Sequence, residues 1–249
     1  MKALLIPAIF CLLVAALHAQ AGAAKPIRVA LYDDAGSAGK GVPRVSEILG
    51  KDAATFRVTL LKGADIAGGA LKDHDVVIFT GGSGSKQAAG IGEAGRAEVR
   101  KFVENGGGYV GICAGAYLAC SGFTWSLGVL DAKTVSNKWR RGAGDVKIEV
   151  HAPGAAATGI SAGEQTVRYV NGPVIQPAGR EDVPDYEALA TFRTELAENG
   201  TPKGAMVNTP AWARGAFGKG RVIVSSPHPE QTAGMDAFVA HVVQWAAGR

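Results

Sequence analysis

Short apolar runs closed by Gly, Asp or Asn recur along the chain, and in its first half stretches of helical period separate them. Ile27 to Tyr32 and Asp75 to Thr80 are nearly all apolar, the pattern of strands buried on both faces. Phe56 to Leu61 alternates Phe, Val and Leu against polar neighbours and reads as another strand. Between the first and second runs lie a Gly/Ser/Asp loop, Asp33 to Gly41, and a short helix from about Val42 to Leu49. Strand, helix and strand at this spacing predict a parallel sheet. Asp33 and Asp34 stand where the first strand ends and read as loop initiators. Glu93 to Asn105 places Val99, Phe102 and Val103 on one helical face and is stopped by the glycines 106–108.

Tyr109 to Ile112 is a short strand that turns abruptly into a helix. Farther on, Val146 to His151, Thr166 to Tyr169, Tyr186 to Phe192 and Gly204 to Val207 read as strands too closely spaced for helical crossovers, which predicts an antiparallel extension. Arg221 to Ser226 is a β-branched run, hence a buried strand, and Met235 to Ala247 is an amphipathic helix with Phe238, Val242 and Trp245 facing in. The pattern predicts an α/β fold: a mostly parallel, doubly wound sheet with short antiparallel strands in the second half. Composition changes this little. A chain of 249 residues, 47% hydrophobic and 19% charged, suits one sizeable core, and its 35 glycines fall at strand ends and turns rather than in tracts.

The first residues do alter the picture. Lys2 precedes an apolar run, Ala3 to Leu17, too short to span a bilayer comfortably, and Ala19-Gln20-Ala21 and Gly22-Ala23-Ala24 are small-residue cleavage candidates. Residues 1–24 are therefore expected to be a signal peptide and 25–249 the domain, exported to the periplasm or secreted, with no stable membrane insertion after cleavage. Cys113 and Cys120 would then remain in an oxidising compartment. Seven residues apart on one helix, their Cα atoms would lie about 10 Å apart, beyond the reach of a disulfide, so both are expected as free thiols, Cys120 in the core.

Net charge is +4. Lys138-Trp139-Arg140-Arg141 interleaves an aromatic with basic charge, but in an exported chain of low net charge it reads as a solvated loop, and no nucleic-acid partner is expected. His74, His151, His228 and His241 lie in separate elements without ligand spacing, and no dinucleotide fingerprint is legible. Neither a metal nor an organic cofactor is expected.

The candidate chemistry centres on Gly111-Ile112-Cys113-Ala114-Gly115. Glycines two residues either side of a cysteine at a strand-to-helix turn are the thiol form of a nucleophile elbow, and they let the turn lift Cys113 out of the sheet. The helix N-terminus favours its thiolate. On the elbow alone, Cys113 is equally readable as a small buried apolar residue. A base is available at Pro227-His228-Pro229-Glu230, after the β-branched run, since sites in parallel α/β sheets form where strands end. His228 would take the thiol proton, and Glu230, two residues on, would orient its imidazole. Gly81-Gly82 after the third strand lacks the Lys-Ser/Thr pair of a phosphate loop. It reads instead as an oxyanion loop, with the N–H groups of Gly82 and Ala114 holding the developing negative charge.

These residues resemble the class I glutamine amidotransferase superfamily, which has a flavodoxin-like fold. More narrowly, Gly107 to Tyr117, Tyr169-Val170-Asn171-Gly172-Pro173 and Ser226-Pro227-His228-Pro229-Glu230 are similar to the amidotransferase-like domain at the N-terminus of some biotin-protein ligases. The resemblance implies that Cys113 is a nucleophile and that Asn171 stands on a substrate-side loop. Glutaminases of the superfamily usually carry Gln where this chain has Tyr117, which sets Tyr117 beside the substrate and argues against glutamine. Nothing resembles the adenylate-binding loop of a ligase. Two function classes follow. One is a cysteine hydrolase using Cys113, His228 and Glu230 on an amide or related carbonyl of a small molecule or peptide, with hydrolysis favoured over transfer. The other is a binding module that keeps the fold without turnover.

Overall fold

The computed structural model describes residues 25–249, so the expected signal peptide lies outside the described residues. Five parallel strands form the first half of a nine-stranded sheet. They are β1 (Ile27–Tyr32), β2 (Phe56–Leu61), β3 (Val76–Phe79), β4 (Gly108–Ile112) and, from late in the chain, β11 (Gly220–Ser225). Their order is β2-β1-β3-β4-β11. Alternate residues feed two cores: Val29, Leu31, Ile78, Val110 and Ile223 pack beneath α1 (Gly41–Gly50) and α6 (Asp236–Ala246), while Tyr32, Phe79, Tyr109 and Val222 pack beneath α2 (Gly63–Ala67), α3 (Gly84–Glu104) and α4 (Ala114–Ala119). The fold is α/β and doubly wound, as the pattern of apolar runs predicts.

The sheet continues from β11 through antiparallel strands in the order β10 (Pro210–Phe217), β9 (Glu187–Phe192), β6 (Ala143–Val150) and β7 (Gly163–Val170). Helix α5 (Ala152–Thr158) links β6 to β7, and β5 (Ala132–Thr134) pairs with β8 (Ile175–Pro177) in a separate ribbon. In a flat sheet β7 would lie roughly 19 Å from β11. Instead the backbone N–H of His228, just past β11, donates to the Arg168 carbonyl of β7 at 2.7 Å. The antiparallel half therefore curls back over the C-terminal ends of the parallel strands.

Three expectations need correction. Gly204 to Val207 is not a strand: Gly204 takes φ +73° and donates its N–H to the Glu195 carboxylate, and Met206 is buried in a turn. The strand comes later, as β10, which opens on a proline and buries Ala211, Trp212 and Ala213 consecutively, hiding any alternation. The expected helix from Glu93 is present, and a further helical stretch from Gly84 precedes it in α3. Ser83 caps it by accepting from the Lys86 N–H, and a kink at Gly92, φ +68°, separates the two helical stretches. Cys113 and Cys120 do not share one helix, since α4 ends at Ala119 with Cys120 as its cap; both are free thiols. Arg141 is not solvated: it is buried, donates to the Leu196 and Pro202 carbonyls, and faces Glu195 at 3.6 Å.

Candidate active site

A sharp backbone feature lies between β4 and α4. Cys113 takes φ 52° and ψ −98°, and among the described residues the other non-glycine residues with positive φ are all Asn, which tolerates the left-handed region. A thiol side chain has no such tolerance, so the turn stores on the order of 1–3 kcal/mol that its surroundings must hold. They do so by close contact. A Cβ on Gly115 would stand 2.1 Å from the Phe79 carbonyl oxygen, and one on Gly111 2.6 Å from that of Gly115. The Tyr109 hydroxyl donates to the Gly115 carbonyl at 2.8 Å, and the Cys113 N–H to the Ser225 carbonyl at 2.8 Å. The expected elbow is present and braced by both neighbouring strands.

Strands β3, β4 and β11 are adjacent, so Gly81-Gly82, Cys113 and His228 emerge side by side. His228 Nδ1 lies 2.8 Å from Glu230 Oε1, and both side chains are buried. Burial alone would strip the imidazole of its proton. Hydrogen bonding to Cys113 and Glu230, with Coulomb attraction to both, outweighs burial and raises His228 from its ordinary value to about 10. With Nδ1 committed to Glu230, Nε2 is the nitrogen left for the sulfur. The thiol itself donates to the Val170 carbonyl of β7 at 3.4 Å. By contrast, burial pushes the Cys120 thiol up to about 12.

Gly82 takes φ 138°, and a Cβ there would stand 1.9 Å from the Gly36 carbonyl oxygen. Bonds from Ser83 N–H to Gly36 and from Ala38 N–H to Gly81 clamp this loop to the turn after β1. Ala114 opens α4, where helix geometry leaves the N–H unspent. Tyr117 lines the cleft, and its hydroxyl spends its proton on the Asn171 carbonyl at 3.2 Å, leaving it only an acceptor for a substrate. Asn171 is left-handed at φ 52°, which Asn tolerates, and its side chain accepts from the Gly142 N–H at 2.8 Å.

A cavity of ≈ 380 Å³ brings Gly82, Cys113, Tyr117, Asn171 and His228 together, with Glu230 behind His228. Three lining features were not read from the sequence. Gln231 places Nε2 2.9 Å from Glu230 Oε1, a contact made by the tight turn after His228. Phe123 and Trp125 stack at 4.6 Å on one wall. Trp139, 49% exposed, stands among the same lining residues.

A family described as biotin-protein ligase, N terminal, matches residues 27–243. The chain belongs to this family. Among solved structures, a glutamine amidotransferase is 23% identical with a TM-score of 0.60, covering 89% of this chain and 99% of its own. A chain of PurLQS from Thermotoga maritima is 17% identical with a TM-score of 0.61, covering 89% and 99%. A ThuA-like protein from Bacteroides uniformis is 17% identical with a TM-score of 0.61, covering 90% and 93%. At these identities the likeness shows the fold, that of the glutamine amidotransferase-like proteins. No curated protein sequence matches. In this member of the biotin-protein ligase N-terminal family, the strained cysteine therefore stands on an amidotransferase-like sheet.

Proposed function

We propose that residues 25–249 form an exported, cysteine-dependent hydrolase domain acting on an amide or related carbonyl of a small molecule or peptide. The observation that carries this is Cys113, strained at the head of α4, sharing one cleft with a His228 whose other nitrogen is held by buried Glu230. Export rests on the amino-terminal sequence pattern.

In this reading, Cys113 Sγ attacks the carbonyl carbon with the proton already held on the His228 imidazole, whose Nε2 faces the sulfur. The N–H groups of Gly82 and Ala114 hold the oxyanion, a role whose loss costs about 10²–10³ in rate per donor in other enzymes. His228 returns the proton to the leaving nitrogen as the C–N bond breaks, leaving a thioester on Cys113. Water then attacks the thioester, His228 takes its proton, and the acid departs as the thiol is restored.

The test is turnover of a panel of amide, γ-glutamyl and peptide substrates by the mature protein beside Cys113→Ala and His228→Ala. Turnover lost in both variants, with iodoacetamide labelling Cys113 and sparing Cys120, is the expected result. Turnover that survives Cys113→Ala overturns it. No turnover, with a ligand bound equally by wild type and Cys113→Ala, makes the chain a binding module.

A further inference from the structure

A second cavity, ≈ 530 Å³, adjoins the cleft and shares Gly39 and Gln231 with it. Lys40, Arg44 and Arg168 line it, and no carboxylate does. Arg44 is already spent on Glu47, Asp236 and the Glu230 carbonyl. The side chains of Lys40 and Arg168 make no hydrogen bond or ion pair among the described residues. Arg168 is also half-buried, and a partly desolvated guanidinium without a counter-charge gains by taking an anion. Helix α1 starts at the same place, and no side chain caps its first N–H groups.

The cavity is placed for a substrate. Arg168 and Val170 lie on one face of β7, about 7 Å apart along the strand, and the Val170 carbonyl accepts from Cys113 Sγ. We propose that this cavity binds a carboxylate or phosphate carried by the substrate, on the order of 10 Å from the carbonyl that Cys113 attacks. The proposal rests on the hydrolase reading for that carbonyl, not for the anion site.

The test uses two thiol probes with one warhead, N-iodoacetyl-4-aminobutyrate and its neutral carboxamide. Wild-type Cys113 should react about tenfold faster with the carboxylate, the equivalent of one charge-assisted hydrogen bond. That preference should fall towards one in Lys40→Ala/Arg168→Ala and as salt is raised. Lys40→Ala alone, at an exposed position, should lose part of it and serves if the double variant misfolds. Glutarate or inorganic phosphate should slow the anionic probe, and the stronger competitor names the anion. Equal wild-type rates, or a preference that survives the double substitution, overturn the proposal. If neither probe labels Cys113, the hydrolase reading fails. The cavity is then tested by calorimetric titration of glutarate and phosphate into Cys113→Ala, where no saturable binding overturns it.

Discussion

A buried imidazole ordinarily sheds its proton, yet His228 retains one up to about pH 10 because Cys113 and Glu230 outweigh its desolvation. Its folded value lies above the unfolded value of about 6.5, so the stability it contributes is fully present below that pH. It is lost as the pH rises through about 10. Replacing His228 by Asn should therefore destabilise the protein most below about pH 6.5, and the difference from wild type should close by about pH 10. Denaturant titrations of both proteins across that range measure it, and a difference that does not change with pH would show that the cluster does not hold the proton. Cys113 and His228 were legible as residues because glycine spacing and a β-branched run mark them locally. Gln231 was not, since its contact with Glu230 depends on a tight turn after His228 that no period announces. Arg141 was misread because four consecutive bulky polar and aromatic residues look like a solvated loop, while its partners, Leu196, Pro202 and Glu195, come from far along the chain.

One side chain joins two elements at the site. The Thr232 hydroxyl donates to the His228 carbonyl at 2.8 Å and accepts from the Arg168 N–H at 3.1 Å, pinning the turn after β11 to β7. Thr232→Val keeps the shape and removes both bonds. It should cost about 1–2 kcal/mol in stability and slow iodoacetamide labelling of Cys113 as His228 loses its fixed position, while Thr232→Ser should restore both. Unchanged labelling in Thr232→Val would leave the threonine a purely structural role. The parallel strands were legible because burial on both faces forces continuous apolar runs. Among the later elements, β10 was hidden by its opening proline and buried alanines, and the early part of α3 by the glycines around its kink. Those residues answer to neighbours packed against them, and a local pattern does not record such neighbours.

Across the whole molecule, the sheet order separates what the curl brings together. Cys113 leaves a central strand, whereas Val170 and Arg168, which bond to Cys113 and His228, belong to β7 at the sheet's edge. Edge strands, bonded on one side only, open before central ones. The backbone amides of β2 and β7 should therefore exchange with solvent before those of β3, β4 and β11, and native-state hydrogen exchange reads this directly. Exchange of β7 as slow as β4 would mean that the curl locks the rim as firmly as the centre. The pairing of β7 with the His228 turn has a topological consequence. The thiol's hydrogen-bond acceptor thus belongs to the sheet's outermost strand, while the strand carrying the thiol is paired on both sides. Whatever loosens that margin changes the sulfur's surroundings and leaves its support in place.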